Sequence, residues 1–162
     1  AFMIGVLGYD NLALSGLTAG SVFFASTLGQ FLLERCSPSW RLPLGCAGVI
    51  LGAALVGIGI GLASLTFFLF GALVAGIGQG MAFRAGLGAV VQASPAGQRG
   101  GVAATFFIVA YIALSIPVVG IGLAVRAFGL APAGMAFAGG VALLAATSLA
   151  SLLWMRHRKA QG

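Results

Sequence analysis

Residues 76–91, GIGQGMAFRAGLGAVV, form an apolar, glycine-rich run that contains a single charged residue, Arg84. The run lies inside a longer apolar segment, about residues 67–92, which exceeds the ~20 residues that an α-helix needs to cross a bilayer. Backbone polar groups must be paired within lipid, and the segment lacks the alternation of polar and apolar residues that a barrel strand shows. The segment is therefore predicted to be a transmembrane helix that carries a guanidinium.

The whole chain has the composition of a membrane protein. Of its 162 residues 60% are hydrophobic and 6% are charged, whereas about 25% are charged in a soluble domain. The predicted fold class is all-α, a polytopic transmembrane helix bundle in one domain, with residues 1–11 as an outer loop and 156–162 as a basic tail. Five runs are long enough to span a bilayer: about 12–33, 43–63, 67–92, 101–125 and 131–155. The odd number of spans and the start without Met favour a fragment that lacks earlier spans.

The positive charges predict the orientation of the spans. Arg35 and Arg41 flank the first loop between spans, and Arg99 lies in the third. The basic tail follows the last span, whereas Arg126 is the one cation expected on the opposite side. The positive-inside rule then places the C-terminus in the cytoplasm, in a multi-pass protein of the cell membrane of bacterial inner-membrane type. Nucleic-acid binding is not expected, because the charges lie in short loops rather than along one face.

Arg84 is predicted to face protein or a watery cavity. At ~1.5 Å per residue it lies about 13 Å from the end of its span, and steps of four along the helix lead to Gly80, Gly76 and Gly88. A stripe of small residues packs against helices rather than lipid. An ionisable group in such a place costs at least ~2.5 kcal/mol, which makes function the default hypothesis. Two roles stay open: lining a substrate cavity, and pairing as a structural cation with carbonyl groups.

The partner of Arg84 is expected to come from outside these spans. The chain has 2 acidic residues, Asp10 and Glu34, and both are predicted at span boundaries. Candidate partners are a missing half of the protein, an anionic substrate, and neutral acceptors such as backbone carbonyls and the Tyr111 hydroxyl. Gln79 lies about 140° round the helix from Arg84, so the two side chains are not expected in one pocket.

The fourth span contains a proline, within YIALSIPVVGIG at residues 111–122. Pro117 removes a backbone hydrogen bond and predicts a kinked or flexible helix, with Gly120 and Gly122 just beyond it. Transporters place such interrupted helices near the midplane, but passive spans also contain proline, and both interpretations stay open. The Ser115 hydroxyl has two possible partners, its own preceding turn and a substrate.

Catalytic and metal chemistry are not predicted. The spans contain no histidine, no paired carboxylates and no serine with a base nearby, so an enzyme is not expected. Cys36, Cys46 and His157 are too few for a metal site, and no cofactor is expected.

Three glycine pairs predict close helix packing, because their small-xxx-small spacing lets two backbones approach. None completes a dinucleotide-binding motif or lies in a strand–turn–helix context. The pairs are Gly48/Gly52, Gly57/Gly61 and Gly76/Gly80.

Two segments resemble the C-terminal half of a major facilitator superfamily transporter. The loop at residues 30–41 is similar to the G-x-x-x-D-R-x-G-R-R loop that follows the second span of each half, with Gln30 in place of the glycine and Glu34 in place of the aspartate. Residues 83–122 resemble the fourth and fifth spans of that half, joined by a short Pro-x-x-x-Arg-Gly turn at residues 95–100.

The resemblance implies spans eight to twelve of a twelve-span carrier whose N-terminal half and seventh span are missing. It implies alternating-access transport of a small solute around a midplane site, and the expected function is proton-coupled export. Arg84 would line the central cavity and meet an anionic substrate or a carboxylate of the missing half. The expected partners are the lipid bilayer, the missing half, a small-molecule substrate and protons.

The alternative is a complete five-helix membrane protein that serves as an anchor or assembly subunit without transport. For the carrier, the candidate residues are Arg84, Tyr111, Ser115 and Gln79 in the substrate pathway, Pro117, Gly120 and Gly122 as a gating hinge, and Glu34, Arg35, Arg41 and Arg99 in the cytoplasmic loops.

Overall fold

The described part of the chain forms an all-α bundle of five long helices. The structure is a computed structural model that describes residues 12–161, and the side chains of residues 16–158. The predicted outer loop, with Asp10, lies outside the described residues. No strand occurs in the described part of the chain, and all five helices are long and apolar enough to cross a membrane. The helices are α1 Leu12–Leu32, α2 Arg41–Gly61, α3 Leu65–Gln92, α4 Arg99–Phe128 and α5 Leu130–Gln161. The predicted fold class is confirmed.

The helix bounds agree closely with the predicted spans except at the C-terminus. The residues predicted as a basic tail continue α5 as far as Gln161. Hydropathy marks where an apolar segment ends, whereas Arg, Lys, Ala and Gln are good helix formers that extend a helix beyond it. The basic residues near the C-terminus are therefore part of helix α5.

Successive helices run in opposite directions, so one end of the bundle collects most of the charge. The ends of α1, α3 and α5 and the beginnings of α2 and α4 lie at that end, called the basic end below. The described cations there, apart from Arg84, are Arg35, Arg41, Arg99, Arg156 and Arg158.

The antiparallel helices α2 and α3 have the most extensive contact in the bundle, and glycines bring their backbones together. A Cβ atom placed on Gly45 would lie 2.6 Å from the backbone nitrogen of Ala82, and one on Gly59 would lie 2.5 Å from that of Phe68. These distances are shorter than real carbon atoms allow, so both positions require glycine. The contact extends along nearly the whole of α2.

The parallel helices α1 and α3 approach each other as closely. A Cβ atom on Gly76 would lie 2.8 Å from the carbonyl oxygen of Val22, and one on Gly80 would overlap the carbonyl oxygen of Ser26. Equal steps of four along the two helices therefore keep them in register.

Two of the three predicted glycine pairs pack as expected. Gly48/Gly52 face α3 and Gly76/Gly80 face α1. The prediction is wrong for the third pair, since a Cβ on Gly61 would meet nothing within 4 Å and one on Gly57 would reach only Ala138 at 3.9 Å. Gly57 and Gly61 lie at least about 140° round α2 from the face of Gly48 and Gly52 that contacts α3.

Helices α4 and α5 form a hairpin joined by one residue, Gly129, whose φ of 86° suits glycine. Helix α5 packs along α2. Helix α4 contains no buried residue, and it contacts α3 near the basic end through Phe83 and Phe106, whose ring centroids are 5.5 Å apart. Helix α4 therefore lies at the edge of the bundle.

Ala63, with a φ of 49°, ends α2 in a left-handed conformation. The amide of Ser64 donates to the carbonyl of Gly59 at 2.8 Å, and the amide of Ala63 donates to that of Ile60 at 3.2 Å. This pattern is a Schellman motif, in which glycine usually occupies the left-handed position because it has no Cβ.

Gly80→Ala should lower the free energy of unfolding by about 1–3 kcal/mol, because the new methyl group overlaps the backbone of α1 and forces the helices apart. Gly140→Ala is the matched control, since nothing lies within 4 Å of a Cβ at Gly140, and it should be neutral or stabilising. Chemical unfolding in detergent micelles compares them. Equal effects of the two changes would contradict the packing described for α1 and α3.

Ala63→Gly should raise the free energy of unfolding by about 1 kcal/mol, because it removes the cost of a Cβ in the left-handed region. Thermal unfolding in the same micelles measures it, with Ala93→Gly as control at a helix end where φ is −72°. A loss of stability in Ala63→Gly as large as that in the control would contradict the strain assigned to Ala63.

Candidate functional site

The guanidinium of Arg84 joins α3 to the end of α1. Its Nη2 lies 2.6 Å from Oε1 of Glu34 in an ion pair, and its Nη1 donates to the carbonyl oxygen of Gln30 at 3.0 Å. The expectation that the charge partner of Arg84 comes from a missing half or a substrate is wrong, since Glu34, at the boundary of the first span, supplies the carboxylate. Glu34 follows α1 in a short 3-10 helix, Leu33–Arg35, which lies beside Arg84. The expected carbonyl acceptor is also present.

The contact with Gln30 follows from the register of α1 and α3. Val22 and Ser26 face Gly76 and Gly80, and the next step of four brings the last turn of α1 beside Arg84. Carbonyl groups in the last turn of a helix lack helical partners and carry a partial negative charge. A cation there satisfies them and complements the helix dipole. Arg84 therefore caps α1 and pairs with Glu34 at once.

The ion pair lies at the level where α1 ends rather than in the middle of the bundle. The side chains of Arg84 and Glu34 are 43% and 62% exposed. Helix α3 has 28 residues, which at ~1.5 Å per residue is about 42 Å, so it is longer than the ~30 Å hydrocarbon layer. The position of Arg84 within its span thus places it near the basic end.

A cleft of about 490 Å³ opens beside this pair at the basic end. Its walls come from the 3-10 helix that follows α1, the loop after it, the beginning of α2, the last turns of α3 and the end of α5. One arginine from each of α2, α3 and α5 lines it: Arg41, Arg84 and Arg156. Glu34 is not part of the lining, but it neutralises Arg84, so the net positive charge of the walls comes from Arg41 and Arg156.

Each of the three arginines is held differently. Nε of Arg41 donates to the carbonyl oxygen of Cys36 at 3.1 Å, which fixes the side chain against the loop. The guanidinium carbon of Arg156 lies 4.3 Å from the centroid of the Trp40 ring, a cation–π contact. Nη1 of Arg156 is shielded from solvent and has no hydrogen-bond partner among the described residues.

Gln79 also contacts α1 but does not line the cleft. Its Oε1 accepts a hydrogen bond from the Ser26 hydroxyl at 2.7 Å. Gln79 lies about 140° round α3 from Arg84, and this angle predicts that the two side chains do not share one pocket. Gln79 and Arg84 together provide two side-chain links between α3 and α1.

The predicted pathway residues of α4 are not brought to Arg84. The Ser115 hydroxyl donates to the carbonyl oxygen of Tyr111 at 2.8 Å, so it bonds its own preceding turn. Tyr111 is 67% exposed. Helix α4 continues through Pro117, and nothing lies within 4 Å of a Cβ at Gly120 or Gly122.

The loop candidates divide in the same way. Arg41 reaches the cleft, whereas Arg35 closes the 3-10 helix and Arg99 begins α4 without lining the cleft. Sequence reasoning missed Trp40 and Arg156 as members of one site. Trp40 lies just before a predicted span and Arg156 begins the predicted basic tail. Their contact joins segments that are far apart in the chain, so the sequence does not predict it.

The cleft offers charge and hydrogen-bond donors. No group of three or more His, Cys, Asp or Glu side chains that could hold a metal ion occurs within the described range. The arrangement is suited to binding an anion by guanidinium groups.

Arg84→Gln should lower the free energy of unfolding more than Glu34→Gln, because it removes both the ion pair and the cap on α1. The double variant should reveal a coupling of about 0.5–1 kcal/mol, as for a partly exposed pair. Chemical unfolding of the four proteins measures this. Arg99→Gln is the charge-matched control and should change stability by less than about 0.5 kcal/mol. Additive effects of the two single changes would contradict the pair.

No protein-family model, curated protein or solved structure matches the chain. A functional proposal therefore depends on the arrangement of the helices and on the resemblance of the two sequence segments.

Proposed function

We propose that the chain is part of a membrane transporter of the major facilitator type, which moves a small solute by alternating access and exports it with proton coupling. The basic end lies in the cytoplasm of a bacterial-type cell, and the C-terminus with it, in accordance with the positive-inside rule. In this proposal the five helices are spans eight to twelve.

The observation that supports the proposal most is the unpacked state of α4. In membranes, small and polar residues lie at helix–helix contacts. Gly120 and Gly122 have no neighbour within 4 Å of a Cβ position, and Tyr111 is largely exposed. These residues are the ones expected in a pathway and its hinge, and a second half of the carrier would supply their neighbours.

The proposal gives the Arg84–Glu34 pair a mechanical role. Alternating access rocks one half of a carrier against the other, and each half must move as a unit. The pair and the cap on α1 hold α1 to α3 at the cytoplasmic end, where glycine packing stops. Arg84 then acts at the cytoplasmic entrance of the pathway and not at a midplane substrate site.

The second candidate is a five-helix anchor or assembly subunit without transport. It is favoured by the close glycine packing of α1, α2 and α3, which is suited to a static core. The two candidates differ in the surroundings of α4, which face a watered pathway in a carrier and lipid or protein in an anchor.

Cysteine labelling of the full-length gene product in membrane vesicles distinguishes these functions. In a background of Cys36→Ser and Cys46→Ser, Ser115→Cys should react with a water-soluble thiol reagent, because the pathway face of α4 is watered. Ala113→Cys, on the opposite face about 160° away, is the control and should react at least tenfold more slowly. Equal inertness at both positions would favour the anchor.

A further inference from the structure

The basic cleft combines the features of a phosphate-binding site. Its lining contributes guanidinium groups from three different helices, and no carboxylate faces it. Guanidinium groups are planar, permanently charged donors that match the oxygens of phosphate in pairs. Glu34 neutralises Arg84, but no carboxylate pairs with Arg41 or Arg156 within the described residues, so those two charges repel each other unless an anion lies between them.

The beginning of α2 adds further donors at the same place. Ser39, Arg41 and Leu42 line the cleft. Trp40, the N-cap residue, makes no side-chain hydrogen bond to the helix, and the first turn contains no acidic residue. The first amide groups of a helix have no helical partners and carry a partial positive charge that attracts phosphate.

Arg156 has a hydrogen-bond donor that the described residues leave unsatisfied. Nη1 of this side chain has no acceptor within the described residues, and the half-buried side chain lines the cleft. A charged donor without an acceptor costs free energy, which a rearrangement of the side chain toward a bound anion would recover. Its neighbour in the tail, Arg158, stacks on Trp154 at 4.0 Å but does not line the cleft. Arg156 therefore lines the cleft, whereas Arg158 does not, although the two side chains carry the same charge.

We propose that this cleft binds the phosphate group of a phosphate ester, carried by an anionic phospholipid headgroup or by a soluble metabolite. Arg41 and Arg156 contact the phosphate oxygens beside the Arg84–Glu34 pair, and the amides of Arg41 and Leu42 at the beginning of α2 complete the site. Apolar residues of the lining, Leu33, Leu42 and Leu152, contact the carbon part of the ester. The inference does not depend on transport, and it holds for a carrier and for an anchor.

Thermal unfolding of the purified protein in lipid nanodiscs tests the site. In one arm, phosphatidylcholine nanodiscs are titrated with glycerol 3-phosphate at constant ionic strength. In the other, phosphatidylglycerol replaces increasing fractions of the phosphatidylcholine. A saturable rise in melting temperature is expected in one arm at least. Stabilisation in the first arm identifies a soluble ester as the ligand, and stabilisation in the second alone identifies a headgroup.

Two matched variants show whether the cleft is responsible. Arg156→Gln should weaken binding about fivefold or more, since each basic residue near a surface contributes roughly that factor. Arg158→Gln removes an equal charge and a similar aromatic contact outside the cleft, and it should change binding less than twofold. Arg156→Lys and Arg41→Gln, which should each retain the fold and weaken binding, guard against a folding defect in Arg156→Gln.

Two results would overturn the inference. The first is the absence of saturable stabilisation in both arms. The second is an equal loss of binding in Arg156→Gln and Arg158→Gln, which would mean that the basic end attracts anions by its overall charge.

Discussion

Direct backbone contact along α3 is the constraint on which the rest of the bundle depends. Lipid tails are as apolar as leucine, so helices in a bilayer associate through close packing rather than through hydrophobic burial. Helix α3 presents Gly71 and Gly78 to α2, and Gly76 and Gly80 to α1. Because glycines occupy two of its faces, α3 contacts both α1 and α2. The positions of these glycines fix the register of both neighbouring helices against α3.

This constraint explains where the charged residue lies. Arg84 occupies the position one turn beyond Gly80 on the face toward α1, beside the last turn of α1. A large side chain would prevent contact at any earlier step of that face. At this step there is room for a guanidinium, and the carbonyl groups that end α1 need a donor. The register of α1 and α3 therefore requires glycine at Gly76 and Gly80 of α3 and allows a cation one turn later, at Arg84.

The sequence predicts the number of helices and most of their bounds, because an apolar run of sufficient length has few alternatives in lipid. It also places Arg84 on the glycine stripe. It does not predict Glu34 as its partner, since hydropathy shows that Glu34 ends a span but not at what depth that end lies beside α3. It likewise does not predict that Gly52 packs against another helix and Gly61 does not. The spacing of glycines shows which of them share a helix face, but not which helix lies beside that face.

The cleft was beyond sequence reasoning for a related reason. Trp40 immediately precedes α2 and Arg156 lies on α5, and these two helices pack together although α3 and α4 separate them along the chain. The basic tail could be seen as a charge cluster, but continuation of α5 through it decides which of its arginines points to the bundle. Helix phase separates Arg156 from Arg158, and two residues of equal charge thereby have different surroundings.

The single-glycine link between α4 and α5 has a consequence for how the protein responds to its membrane. The apolar runs of the two helices, about residues 101–125 and 131–155, are about 37 Å long at ~1.5 Å per residue, which exceeds a ~30 Å hydrocarbon layer. Such hydrophobic mismatch is relieved by tilt or by local thickening of the bilayer. Because Gly129 leaves little chain between the two helices and α5 packs along α2, we expect a change in the tilt of this hairpin to be transmitted to the glycine-packed core.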